Sequence, residues 1–262
     1  MSVELESSES LNRPTRTLCS IDVVLPVYNE SHVLECSVLK ILSACREIQD
    51  ETRIHIVSNG STDGTDELSQ ELADAYEDIY AFVEDEPGRG RALRNAWISS
   101  NADLAFYMDI DLSTDLEVLP RAIESLKNGA SIVAGSRLNS TSKTQRSLKR
   151  EILSRGYNFL LKQLTGARSI EDAQCGFKGV RVESVRQLLS SVENDNWFFD
   201  TELLVLAEWA GLGIESIPVT WTEDADSRVK LIPTIVEEFL GLCRLVPRRP
   251  FKANSTIRRT AL

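Results

Sequence analysis

The stretch Leu104-Ala105-Phe106-Tyr107-Met108-Asp109-Ile110-Asp111-Leu112-Ser113 turns abruptly from apolar to acidic. Five apolar residues in a row read as a strand buried on both faces, which is the signature of a parallel sheet inside an α/β fold. The two acids then fall at the strand's carboxyl end, the edge where open α/β sheets bind their ligands. Carboxylates two residues apart can divide the work. One grips a divalent cation, and the other holds a ribose or the cation's water shell. Hard oxygen donors of this kind suit Mg²⁺ or Mn²⁺ shared with a diphosphate. An Asp-x-Asp also arises by chance in an acidic chain, so its surroundings carry the argument.

Outward from this strand, Ile21 to Val27, Ile54 to Val57, Tyr80 to Val83 and Ser131 to Ala134 are further short β-rich runs, read as buried strands. Helical spacing appears between them in Leu34, Val38, Ile41 and Cys45, in Leu68, Leu72 and Ala75, and in Leu93, Ala96 and Trp97. The alternation predicts a largely parallel sheet covered on both faces, with Pro26, Asn59, Asp109 and Arg137 at the carboxyl ends of its strands. Helices are expected over 148–164, 182–189 and 201–210, and short strands over 177–180 and 214–219. Residues 1–20 are Ser- and Glu-rich and read as a disordered tail, with one domain over 21–230. Over 231–262 the chain reads as an amphipathic helix, with Leu231, Ile232, Ile235, Val236, Phe239, Leu240 and Cys243 on one face, and a basic tail. That face either packs on the core or lies in a membrane interface.

Composition narrows the chemistry. Among 262 residues there are only two histidines, and the five cysteines show no C-x-x-C spacing. A histidine metal cage, a Ser-His-Asp triad and a disulfide framework therefore lack material, and a reducing cytoplasm fits best. The net charge of −11 argues against nucleic-acid binding. Basic residues nevertheless gather in two segments: eight against one acid from Arg137 to Arg168, and six against none from Arg244 onward. Such segments either balance an acidic surface or meet an anion, a phosphate or an anionic lipid surface.

The ordered blocks Leu25-Pro26-Val27-Tyr28-Asn29-Glu30, Ser58-Asn59-Gly60-Ser61-Thr62-Asp63-Gly64-Thr65, Gly88-Arg89-Gly90-Arg91-Ala92-Leu93-Arg94-Asn95-Ala96, Asp109-Ile110-Asp111 and Gly135-Ser136-Arg137 resemble those of the family 2 glycosyltransferases. Asp172-Ala173-Gln174-Cys175-Gly176-Phe177-Lys178, Trp197-Phe198-Phe199-Asp200-Thr201-Glu202, Pro218-Val219-Thr220-Trp221 and Ser227-Arg228-Val229-Lys230 narrow the resemblance to polyprenyl- and dolichyl-phosphate sugar transferases. The resemblance implies a GT-A type, Rossmann-like nucleotide-binding fold and inverting transfer of a hexose, glucose by preference, from a nucleotide sugar to a lipid phosphate. It implies donor contacts from Pro26, Tyr28, Glu30, Asn59, Asp63, Arg91 and Asp109, with Mg²⁺ or Mn²⁺ on Asp109 and Asp111, and a catalytic role for Asp111.

Where the family usually has two aspartates, this chain has Ser58-Asn59. A carboxylate accepts both N–H groups of guanine's edge, whereas an amide oxygen suits the single imide N–H of uracil, so Asn59 tilts the expected donor from a GDP- to a UDP-hexose. Asp172 matches the family's catalytic base, yet a lipid phosphate is already anionic near neutral pH. It is therefore a base, an acceptor-orienting group or a holder of nearby arginines. Arg137, Arg146, Lys149, Arg150, Ser227, Arg228 and Lys230 are the candidates for the acceptor phosphate. Asp200 reads as a helix cap at least as readily as chemistry, Trp197 and Trp221 as packing, and Cys175 as a small buried residue. The expected site of action is the cytoplasmic face of a membrane, held peripherally through anionic lipid. A soluble transferase with a small acceptor and a non-catalytic sugar-nucleotide binder are the rivals.

Overall fold

In the computed structural model, the described residues are 18–145, 147–223 and 231–250. The expected N-terminal tail up to residue 17 and the basic tail from residue 251 lie outside them, as do Arg146, Ser227, Arg228 and Lys230.

The chain runs β1 (Ser20–Val27), α1 (Ser31–Arg46), β2 (Glu51–Asn59), α2 (Thr65–Ala75), β3 (Ile79–Glu84), α3 (Arg89–Ser99), β4 (Leu104–Met108), α4 (Val118–Lys127), β5 (Ile132–Ser136), β6 (Lys143–Gln145), α5 (Leu148–Thr165), β7 (Phe177–Arg181), α6 (Val182–Leu189), α7 (Phe199–Trp209), β8 (Ile214–Pro218), β9 (Thr220–Thr222) and α8 (Leu231–Leu245). Seven strands form one sheet in the order β3-β2-β1-β4-β7-β5-β8. Its pairings are parallel except where β7 runs antiparallel between β4 and β5. A small parallel ribbon, β6 with β9, stands apart.

Strand β4 is central because every one of its side chains is apolar and buried. The two-residue period sends Leu104, Phe106 and Met108 to one face and Ala105 and Tyr107 to the other. On the first face lie Leu34, Val38 and Ile41 of α1 and Leu119, Ile123 and Leu126 of α4. The second carries Leu93 and Trp97 of α3, Leu161 of α5, Val185 and Leu189 of α6 and Leu203 of α7.

One expectation needs correction. β3 is an exposed edge rather than a buried strand, with Tyr80, Phe82 and Val83 between 43% and 56% exposed. An apolar run cannot distinguish an edge from a centre, because sheet order is a tertiary property. Helix α4 and the β6–β9 ribbon were not anticipated. In α8, Glu238, Gly241, Leu242 and Leu245 pack inward, whereas Ile235, Val236, Phe239, Leu240 and Cys243 are exposed, so of the two alternatives for that apolar face these residues do not follow packing on the core.

Helix α7 is pinned to the sheet by ions. Lys178, fully buried on β7, places Nζ 3.2 Å from Asp200 Oδ1 and donates to the Tyr107 hydroxyl at 3.1 Å and the Cys175 carbonyl at 2.8 Å. The Tyr107 hydroxyl donates to Asp200 as well. Burial raises the Asp200 carboxyl, but the nearby Lys178 and Arg89 cations and the Tyr107 hydrogen bond outweigh it and hold the group below the usual carboxylate range. A pKa lowered on folding adds stability that is complete above the unfolded value of about 4 and is lost as pH falls through the lower folded value. Asp200→Asn should therefore cost about 3–5 kcal/mol in urea unfolding at pH 7, because it leaves a buried ammonium uncompensated. The variant should also lose part of the acid dependence below about pH 4 expected of the unmodified chain.

Candidate active site

The two acids of the opening motif sit where β4 ends. The Asp109 N–H donates to the Gly176 carbonyl at 3.1 Å, and a turn closes with the Leu112 N–H on the Asp109 carbonyl at 3.2 Å. Leu112 takes a left-handed φ of 52°, uncommon for a bulky residue, and the Asp111 carboxylate accepts the Ser113 N–H at 2.9 Å. A Cβ on residue 176 would collide with the Asp109 carboxylate. Gly176 is thus the residue that lets the antiparallel β7 approach pass so close to the acids.

Asp109, 39% exposed at its side chain, is paired with Arg89 at the start of α3 (Nη2 to Oδ1, 2.9 Å). The other end of the same guanidinium holds Asp200 (Nη1 to Oδ2, 2.9 Å). Arg89 also lies 4.8 Å from the ring centroid of Tyr107 and 5.1 Å from that of Trp197. Burial alone would lower the Arg89 pKa, yet Asp109, Tyr107 and Asp200 raise it well above its ordinary value. Glycine at 90 permits this placement, since a Cβ there would strike Phe199 and the carbonyls of Asn194 and Asn196.

Beyond β5, Arg137 is gripped by Asp172: Nε to Oδ2 at 2.7 Å, Nη2 to Oδ1 at 2.9 Å, and its backbone N–H to Oδ2 at 3.1 Å. Asp172 is fully buried; burial raises its pKa, and Arg137 more than reverses that. The guanidinium of Arg137 stacks 5.6 Å from the Trp221 ring centroid. Cys175 beside it is buried and its thiol is pushed up to about 11 by burial, as suits a packing residue.

A cavity of about 550 Å³ joins these groups. Asp109, Asp111, Arg89, Arg137 and Arg150 line it together with Ile152, Leu153 and Leu160 of α5 and Ile235, Phe239 and Leu242 of α8. Arg150 is paired with Glu223 at 2.9 Å. Glu238 of α8 also reaches this wall, accepting hydrogen bonds from Tyr157 and Thr201; burial raises its pKa to about 7. Glu237 accepts the Trp197 N–H at 3.0 Å, and Arg248 binds Glu202 at 2.6 Å, so α8 and the residues after it are fastened to α7 and the residues before it by polar contacts. Phe198 lies against Gly241.

The expected donor contacts are only partly available. Pro26 lies in the last turn of β1 and Tyr28 is 48% exposed just beyond it. The Glu30 carbonyl begins α1 by accepting the Val33 and Leu34 N–H groups. Asp63 is spent on the loops themselves, accepting from Ser31 and Thr65 and so tying the starts of α1 and α2 together. Asn59 is buried, donating to the Val27 carbonyl at 2.7 Å and accepting the Gly88 N–H at 3.1 Å. The oxygen expected to read uracil is thus committed to the protein, and Asn59 gives no ground for preferring UDP. Arg91, expected at the diphosphate, turns onto Glu84 and Glu86; Arg89 is the arginine beside Asp109. Asp172, read as a base, an acceptor-orienting group or a holder of nearby arginines, has both oxygens on Arg137. Lys149 is exposed on α5.

Arg89, Tyr157 and Glu238 also line the site, and so do Asp200 and Trp197, whose sequence positions suggest capping and packing. The two glycines flanking Arg89 were the legible signal. No three His, Cys, Asp or Glu side chains converge to hold a metal among the described residues. The donor set does fit a hard cation shared with a diphosphate, with two carboxylates supplying the protein's part.

The family model for glycosyl transferase family 2 matches residues 22–189. Glycosyltransferase AglD of Haloferax volcanii is 33% identical over 220 residues, covering 82% of this chain and 35% of that protein, so the chain spans about a third of that relative. Dolichyl-phosphate beta-glucosyltransferase of Homo sapiens is 32% identical over 237 residues, covering 84% of this chain and 71% of that protein. Among solved structures, glucosyl-3-phosphoglycerate synthase of Mycobacterium tuberculosis in complex with Mn²⁺, UDP and glucosyl-3-phosphoglycerate superposes with a TM-score of 0.62 at 18% identity, over 89% of this chain and 82% of that one. That likeness is one of fold, the mostly parallel GT-A sheet with its flanking helices. With the match to the family model and the two acids at the end of β4, the chain belongs to glycosyl transferase family 2.

Proposed function

We propose that this enzyme transfers glucose from UDP-glucose to a polyprenyl or dolichyl phosphate, with inversion and with the help of Mg²⁺ or Mn²⁺. The observation that carries the reading is the mixed lining of the cavity: acids and arginines, together with apolar side chains of α5 and α8. A sugar nucleotide needs the first and an isoprenoid tail the second. The dolichyl-phosphate glucosyltransferases among the relatives support the acceptor and the sugar. UDP in the solved neighbours, with Mn²⁺ in some, supports the donor and the metal.

When bound at Asp109 and Asp111, the cation would neutralise charge developing on the leaving diphosphate. The protein's own residues orient the acceptor. Asp172 fixes the Arg137 fork, so that the guanidinium meets a phosphate without first losing rotamer freedom. Arg150 stands on the same cavity wall. A phosphate monoester with a second pKa of about 6 is already a nucleophile at neutral pH, so no protein base is required and Asp172 acts through Arg137. Displacement in one step from the face opposite the diphosphate inverts the anomeric carbon.

No described helix is long and apolar enough to cross a membrane. We assign the exposed Ile235, Val236, Phe239 and Leu240 of α8 to peripheral contact with an anionic bilayer on its cytoplasmic face, where the acceptor's tail resides.

Purified full-length chain with radiolabelled UDP-glucose, Mn²⁺ and dolichyl phosphate should yield an organic-extractable glucolipid. Label passing instead to a water-soluble acceptor such as phosphoglycerate would overturn the lipid acceptor. Asp111→Asn should lower kcat at least about a hundredfold with the fold intact by circular dichroism, and chelation should do so reversibly. Asp172→Asn, which loosens Arg137, should raise the apparent KM for the lipid phosphate more than that for UDP-glucose. Ile235→Ser with Phe239→Ser should weaken sedimentation with anionic liposomes, and the binding of the unmodified chain should decline with salt.

A further inference from the structure

Among the described residues, each of the three arginines lining the cavity already has a carboxylate: Arg137 has Asp172, Arg150 has Glu223, and Arg89 has Asp109 and Asp200. Only one of these partners, Asp109, belongs to the acid pair suited to a cation. Asp200 does not depend on Arg89 for neutralisation, because Lys178 lies 3.2 Å from its other oxygen and Tyr107 donates to it. The inner charges thus balance as Lys178 with Asp200 and Arg89 with Asp109. A dication arriving at Asp109 would take the counter-ion of Arg89 and leave its guanidinium in surplus. The arginine would not leave the wall, since Asp200 holds its other end and the Tyr107 and Trp197 rings flank it.

We propose that Arg89 is a resting counter-ion of Asp109 that the donor's divalent cation displaces, and that the released guanidinium then serves the acceptor phosphate, so that donor loading strengthens acceptor binding. This inference rests on the metal-dependent lipid-phosphate reading given above. It adds a coupling between donor and acceptor binding, and the residue that carries it, to that reading. The coupling must be reciprocal: the acceptor should tighten cation binding by the same factor as the loaded donor tightens acceptor binding.

The test measures binding, with no turnover required. Mn²⁺ affinity is read from the electron paramagnetic resonance signal of the free ion, with and without UDP. Affinity for farnesyl phosphate, a soluble probe of the acceptor phosphate, is read by calorimetry with and without UDP and Mn²⁺. In the unmodified chain, UDP with Mn²⁺ should tighten farnesyl phosphate about tenfold, the scale of one charge-assisted hydrogen bond. Arg89→Gln should bind Mn²⁺ more tightly and lose the coupling. Arg89→Lys keeps the charge, but one nitrogen cannot span Asp109 and Asp200, so tighter Mn²⁺ binding by this variant cannot come from removing a charge. Near-ultraviolet circular dichroism would confirm native packing of both variants. Unchanged Mn²⁺ affinity in both, or equal farnesyl phosphate binding by the unmodified chain with and without loaded donor, overturns the proposal. Failure of the unmodified chain to bind Mn²⁺ even with UDP would overturn the parent reading together with it.

Discussion

A buried ammonium cannot stand without an anion, and that constraint on Lys178 organises this enzyme. Lys178 fixes Asp200, Asp200 and Tyr107 fix the start of α7, and Asp200 shares Arg89 with Asp109. The chain of charges runs from a fully buried strand position to a carboxylate 39% exposed at the cavity. Core and site therefore share one electrostatic network. In a low-dielectric interior such a network rigidifies when every member is satisfied, and it responds when one partner is taken away.

Close backbone approach is the second organising feature. Gly176 lets the loop before β7 pass the Asp109 carboxylate, Gly90 lets α3 reach Phe199, and Gly241 receives the Phe198 ring. These three contacts gather β4, β7, α3, α7 and α8 around one cavity. The polar lining comes from the ends of β4 and β5, the start of α3 and Arg150 of α5, and the apolar lining comes from α5 and α8. Helix α8 joins both, since Glu238 faces the interior while Phe239 next to it is 51% exposed.

Much of this was legible in the chain itself. The apolar run of β4 ending in Asp109 and Asp111 announced a buried strand with ligand-facing acids, because hydrophobicity and side-chain alternation are local properties. Helix α6 falls on residues 182–189 as the spacing predicts, and α5 and α7 start within two residues of expectation. The ordered motif blocks carried the family. Roles of single side chains were less accessible. Asn59 and Asp63 carry the right chemistry for ligand contacts, yet nearby backbone and hydroxyl groups use them first.

The sequence by itself determined the alternating α/β pattern, the acidic strand end and the scarcity of histidine that leaves the chemistry to carboxylates and arginines. Only the tertiary structure decided which charges meet. Arg89 and Arg91 are two residues apart on one helix and so point about 200° apart, one towards Asp109 and the other towards Glu84 and Glu86. Which direction faces the acids depends on how α3 docks on β4, and the partners of Arg89 lie 20 and 111 residues away along the chain. Local pattern fixes a helix and its spacing, whereas the pairing of buried charges follows from packing between distant segments, which no local pattern contains.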